Sequence, residues 1–119
     1  MVNVLEYPKC STCRNSIKWF ENNGIGIKKR HIIDDALNVE EIRKLHRLSG
    51  LPIQKFFNAS GIKYRELELK NKVKNMNDEE CYELLASDGM LIKRPLVYDN
   101  FGKLTIGLKT DEYNNNWKS

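Results

Sequence analysis

The sequence predicts the α/β class: a mixed four-stranded sheet, helices packed against it, and a helical insertion between the two halves of the sheet. Three stretches carry that expectation. An apolar run at Val2–Tyr7, a helical stretch ending at Asn22 and a second run from Ile25 to Ile33 read as strand, helix, strand, and at that length the two strands should be parallel. Leu96–Tyr98 and Lys103–Leu108 flank Asp99-Asn100-Phe101-Gly102, a turn composition, and read as an antiparallel hairpin. From about Asp34 to Gly89 apolar residues recur at helical spacing. At 119 residues the chain, 1–119, reads as a single domain, long enough to bury a core without disulfide staples.

Each element has a local reason. Pro8 ends the first strand because it has no N–H to give to a ladder. The helix from Thr12 to Asn22 carries Ile17, Trp19 and Phe20, and Gly24 after two asparagines suits a left-handed cap. Asp34-Asp35-Ala36-Leu37 reads as a loop. Asn38 with Glu41 three residues on predicts a capped helix bearing Val39, Ile42, Leu45 and Leu48, stopped by Gly50 and Pro52. His46 within it reads as a flank residue. Phe56-Phe57 is an apolar pair, and Tyr64–Leu69 reads as one or two helical turns. Asn77 with Glu80 repeats the capping signature and starts a helix with Cys81, Leu84 and Leu85 on its apolar face, ending at Gly89. A last short helix from Thr110 would dock Trp117.

Composition narrows the function classes. The net charge is +4, and all of the excess lies in residues 1–60, densest at Lys28-Lys29-Arg30-His31. A run this short fits a solvated strand and turn better than an anionic partner, so no direct nucleic acid binding is expected. No apolar stretch is long enough to span a membrane, and the N-terminus lacks a charged region followed by an apolar block and cleavage site, so a cytoplasmic protein is expected. Three cysteines do not make a disulfide framework.

The chemistry centres on Cys10-Ser11-Thr12-Cys13-Arg14-Asn15, at the junction of the first strand and first helix. In a reducing compartment such a pair cycles rather than staples. The first N–H groups of a helix lack partners and the macrodipole is positive there, so a thiolate at Cys10 is stabilised and its pKa should fall. Cys13 lies on the same face of the first turn and can reach back to close a disulfide. Arg14 adds a positive charge. A zinc site would need a second tight ligand pair, whereas Cys81, His31 and His46 are scattered. Inert packing explains one such cysteine better than two. No metal or organic cofactor is expected, and Cys81 reads as core.

Tyr7-Pro8-Lys9-Cys10-Ser11-Thr12-Cys13-Arg14-Asn15, taken with Leu84-Leu85-Ala86-Ser87-Asp88-Gly89-Met90-Leu91-Ile92-Lys93-Arg94-Pro95-Leu96-Val97, resembles the ArsC/Spx family, the arsenate reductase-like branch of the thioredoxin fold. The resemblance spans essentially the whole chain and implies a thioredoxin-like fold with an ArsC-like helical insertion. It implies that Cys10 is the nucleophile, that Arg94 helps bind an oxyanion, and that Pro95 is cis and faces the active cysteine. Three departures are visible. Arsenate reductases of this type lack the second cysteine that stands here as Cys13 and use glutathione instead. They place an arginine where this chain has Phe57-Asn58-Ala59, and another where only Lys109 could substitute, a point charge in place of a planar fork. The Cys-x-x-Cys form is similar to Spx-type regulators, in which a disulfide switches binding to RNA polymerase. The longer, charged C-terminal extension of those proteins has no counterpart before Ser119.

Two functions from different classes follow. In the first, a thiol–disulfide oxidoreductase, Cys10 attacks a small-molecule or protein disulfide, Cys13 resolves the adduct, and Arg94, Arg14 and the first-turn N–H groups of Ser11, Thr12 and Cys13 hold an anionic group beside Pro95. Thioredoxin or glutathione would restore the dithiol. In the second, a redox-sensing regulator of the Spx kind, the output is a contact with RNA polymerase. A true arsenate reductase ranks below both because of the missing arginines.

Overall fold

The apolar N-terminal run builds β1 (Val2–Glu6), an inner strand of a four-stranded sheet. The architecture comes from a computed structural model that describes residues 1–118. After β1 come α1 (Ser11–Asn22), β2 (Ile27–His31), α2 (Val39–Ser49), α3 (Ile62–Glu66), α4 (Leu69–Lys72), α5 (Asp78–Ser87), β3 (Leu96–Tyr98), β4 (Leu104–Ile106) and α6 (Thr110–Asn116). The strand order is β2-β1-β3-β4. β1 and β2 are parallel, with Val2 opposite Ile27 and Glu6 opposite His31, while β1–β3 and β3–β4 are antiparallel. The sheet is therefore mixed, with a parallel βαβ half and a hairpin half, and the fold is α/β.

Period-two alternation makes the sheet two-faced. Val4 and Val97 point to one side, where Phe20 of α1 and Tyr113 and Trp117 of the C-terminal segment cover them. Leu5 and Leu96 point to the other, into a larger core with Ile42, Phe56, Leu85 and Ile92 from the region between β2 and β3. A polar thread runs beside the smaller core. The Ser16 hydroxyl lies 2.7 Å from the Tyr113 hydroxyl, which donates to the Gly107 carbonyl at 3.2 Å, and the Trp117 indole N–H donates to the Thr105 hydroxyl at 3.0 Å.

The expected caps are formed. The Glu41 N–H donates to Asn38 Oδ1 at 2.9 Å and the Asn38 N–H donates to Glu41 Oε1 at 3.1 Å, and Gly50 closes α2 in the left-handed region at φ 67°. Asn77 and Glu80 repeat the reciprocal pair at α5. Arg30 then ties β2 to the start of α2. Its guanidinium donates to both Glu41 carboxylate oxygens, at 2.5 and 2.9 Å, and to the carbonyls of Asp35 and Ala36 at 2.7 and 2.9 Å. His31 Nδ1 accepts the N–H groups of Ile33 and Asp34. Half of the basic run is thus spent on holding a turn. Lys28 and Lys29 stay exposed on the edge strand, where charge discourages pairing with another chain.

Several boundaries differ from the sequence expectation. β2 begins at Ile27 rather than Ile25, because the Ile25 N–H is committed to the Phe20 carbonyl at the end of α1, at 3.0 Å. β4 is only three residues, since Gly107 turns the backbone at φ 81°. α5 ends at Ser87, and Gly89 is no left-handed cap: it sits in a 3₁₀ turn where a Cβ would fall 2.1 Å from the Ile32 carbonyl oxygen. Close approach of backbone to the end of β2, not positive φ, requires glycine there.

Candidate active site

Pro8 breaks β1, and the chain turns through a Cys10 N–H to Tyr7 carbonyl bond of 2.9 Å. That turn sets Cys10 as the N-cap of α1, in extended geometry, with its sulfur accepting the Cys13 N–H at 3.4 Å. Cys10 is half-buried, and Cys13, one turn in, is wholly buried. The three cysteines, Cys81 included, are thiols.

The two sulfurs of the pair are driven apart in acidity. For Cys10, burial pulls the pKa up, but hydrogen bonds from the Cys13 thiol and the Cys13 N–H, with the positive Arg94 guanidinium beside it, outweigh burial and leave it below the ordinary thiol value. For Cys13, burial dominates and the thiolate of Cys10 repels a second charge, so its thiol is pushed up to about 12 even though the Tyr7 N–H faces it. A more acidic sulfur outside and a less acidic one inside, hydrogen-bonded to each other, suit an attacking sulfur with an adjacent resolving one.

Arg94 reaches the site from the segment before β3, through a cis Arg94–Pro95 bond with Pro95 buried. Its Cζ lies 5.5 Å from the centre of the Tyr7 ring. Its Nε and Nη1 are buried with no hydrogen-bond partner among the described residues. Unsatisfied donors of a permanent cation next to a thiolate make a place for an anion. Arg14 is directed elsewhere: its Nη1 donates to the Pro8 carbonyl at 2.8 Å, which closes the turn before Cys10.

Cys10, Thr12 and Arg94 line an open cleft of about 830 Å³. One wall is the stretch from Asn58 to Glu66 and the other runs from Ile106 to Lys109. Ser11 is exposed at the first turn of α1, outside that lining. The first wall is fastened to the Arg94 segment by an antiparallel bridge between Phe57 and Ile92, with the Asn58 N–H donating to the Leu91 carbonyl and the Lys93 N–H to the Phe56 carbonyl, both at 2.8 Å. Sequence reasoning placed Asn58 and Lys109 near the site but missed Lys63 and Lys93, which also line the cleft. Lys93 adjoins Arg94, and that adjacency was a usable signal; Lys63 sits on a helix too short to show a period. Cys81, His31 and His46 lie apart: Cys81 is buried in the larger core, which raises its pKa, and His46 Nδ1 is 2.5 Å from the Tyr82 hydroxyl.

Comparisons with known proteins bear on the family and the fold. Residues 5–116 match the ArsC family. The protein YusI of Bacillus subtilis (strain 168), described as uncharacterized, is 52% identical over 111 residues, 93% of each chain. The global transcriptional regulator Spx 1 of Bacillus cereus is 25% identical over 112 residues, 94% of this chain and 83% of that one. The crystal structure of an ArsC family related protein from Bacteroides fragilis superposes with a TM-score of 0.91 at 44% identity, covering 96% of this chain and 95% of the other. With a thioredoxin-like sheet, a cysteine at the head of its first helix and a cis Arg-Pro beside it, the chain belongs to the ArsC family.

Proposed function

We propose that this protein is a thiol–disulfide oxidoreductase in which Cys10 attacks and Cys13 resolves. The supporting observation is the placement of Cys10 at the α1 N-cap, its thiolate held by Cys13 and Arg94 and open to the cleft. Cys10 forms a bond to the substrate sulfur as the old bond breaks, and the leaving thiolate carries off the electron pair. The Cys13 thiol gives its proton to solvent, attacks Cys10 Sγ and releases the second half. Arg94 holds an anionic part of the substrate, with Thr12 and the N–H groups of Ser11 and Thr12 at the first turn and Pro95 packed alongside. Arg14, fixed on Pro8, contributes charge at longer range. Chemistry of this kind runs without a metal or organic cofactor, and a thioredoxin or glutathione system in the cytoplasm returns the dithiol.

Mild peroxide followed by mass spectrometry tests this. The wild type should lose two hydrogens in a Cys10–Cys13 disulfide, and Cys13→Ser should instead stop at a Cys10 adduct. Oxidation that bypasses Cys10 would overturn the assignment. Arsenate should be a poor substrate, because Asn58 and Lys109 stand where an oxyanion clamp needs arginines; a kcat/KM of ~10⁴ M⁻¹s⁻¹ or more, ordinary for an enzyme, would contradict this.

The Spx 1 relative favours a second reading, in which the same disulfide controls a contact with RNA polymerase. A pull-down with RNA polymerase, compared between oxidised and reduced protein, separates it. Redox-dependent capture without catalytic turnover of disulfides selects the regulator.

A further inference from the structure

Charge in the cleft is one-sided. Lys63 stands on the wall from Asn58 to Glu66, Lys109 on the opposite wall at the N-cap of α6, and Lys93 and Arg94 between them, against Glu66 as the one carboxylate of the lining. Lys109 has only a loose exposed pairing with Glu112 at 4.0 Å. Among the described residues Lys63 and Lys93 form no ion pair. Ile62, 70% exposed, adds an apolar surface to the same wall. A volume of about 830 Å³ lies in the range of small-molecule sites.

We propose that the cleft binds a small-molecule disulfide that carries two or more separated anionic groups, carboxylate or phosphate, and that Lys63 and Lys109 determine that specificity. The proposal rests on the reading of Cys10 and Cys13 as a redox pair. Separation is the reason for two anions rather than one. Arginines converging on a point suit a single tetrahedral oxyanion, whereas lysines on opposite walls are flexible point charges that each meet a different group. Concavity is the reason for a small partner: Cys10 opens into a trench between two walls, not onto a flat surface that a folded protein could cover. Clustered cations in a cleft also raise the local concentration of anions and speed their arrival.

The step balances as a two-electron exchange. Cys10 as thiolate attacks RS–SR, forms Cys10–SR and expels RS⁻. Cys13 loses its proton to solvent, forms the Cys10–Cys13 bond and expels the second RS⁻. The substrate gains two electrons, the cysteine pair loses two, and an external dithiol restores it.

Stopped-flow reduction of four small disulfides tests this: dithiodiglycolate (two carboxylates), the disulfide of 2-mercaptoethyl phosphate, neutral bis(2-hydroxyethyl) disulfide and cationic cystamine. Each rate is divided by that of the same disulfide with free 2-mercaptoethanol. Both anionic disulfides should react at least tenfold faster than the neutral compound on this scale, and cystamine slowest. At pH 7 the bis-phosphate carries about twice the charge of the dicarboxylate, so the headgroup is identified by the larger ratio at pH 5, where each phosphate carries about one charge. High salt and the double variant Lys63→Ala/Lys109→Ala should collapse the anionic-to-neutral ratio toward one, and Lys63→Glu/Lys109→Glu should invert it. Equal corrected rates, a ratio unmoved by the variants, or faster reduction of insulin disulfides than of either anionic disulfide overturns the proposal while leaving the redox pair intact. Failure of all four disulfides and insulin to react overturns the redox pair itself, and the proposal with it.

Discussion

At Cys10 burial opposes ionisation, and the Cys13 thiol, the Cys13 N–H and Arg94 together reverse it. The acidity therefore depends on groups that can be removed singly. The alkylation rate of Cys10 against pH should show a midpoint below the ~8.5 of a free thiol, with the rate falling as pH drops through that midpoint and the thiolate is protonated. Arg94→Ala should move the midpoint up, and Arg94→Lys should restore part of the shift but little of the selectivity for an anionic reagent. Unchanged profiles in a folded Arg94→Ala protein would remove Arg94 from the site. The Cys-x-x-Cys pair at the head of a helix was legible from local sequence, because that spacing after a strand carries its own geometry, whereas Arg94 was pointed to by the resemblance to the ArsC/Spx family. The fate of Arg14 was not legible. Its guanidinium goes to the Pro8 carbonyl, a partner that exists only once the turn before Cys10 has formed.

Helices and strands were legible where one residue type determines an end. Asn38 with Glu41 and Asn77 with Glu80 announced two helices correctly, since capping is local chemistry. The end of α5 near Gly89 was legible, but the reason glycine is needed there was not, because it comes from Ile32, which is far away in sequence. Gly89→Ala must push the turn off β2 and should cost about 1–3 kcal/mol or more in urea unfolding; a loss within error would show that the turn yields freely. The hydroxyl thread between α1 and α6 was equally invisible, since Ser16 and Tyr113 meet only through packing. Tyr113→Phe strands the Ser16 hydroxyl in the smaller core and should cost about 1–3 kcal/mol. If the loss is real and the Ser16→Ala/Tyr113→Phe double variant recovers part of it, the hydroxyl pair is the cause; strictly additive losses would deny the coupling.

Taken over the whole molecule, buried ionisable groups give stability an alkaline limit. The Cys13 thiol and the Tyr113 phenol are both pushed up to about 12, mainly by burial. The unfolded chain releases those protons at ~8.5 and ~10, so their contribution is fully present below the lower value and is lost as pH rises toward 12. The urea midpoint should decline above about pH 8.5, with a shallower decline in Cys13→Ala; a flat midpoint from there to pH 11 would sink the argument. The class of the fold was readable because a βαβ unit and a hairpin each declare themselves locally. The cleft was not, because its walls are brought together across the chain by the Phe57–Ile92 bridge. That bridge also divides the freedom of the cleft. Phe57 and Ile92 join the wall to the segment that carries Arg94, so a substitution there would alter which molecules enter and how acidic Cys10 is in one stroke. Ile62, Lys63 and Lys109 lie beyond the joint, where a lineage can change its choice of substrate and leave the sulfur's reactivity as it was.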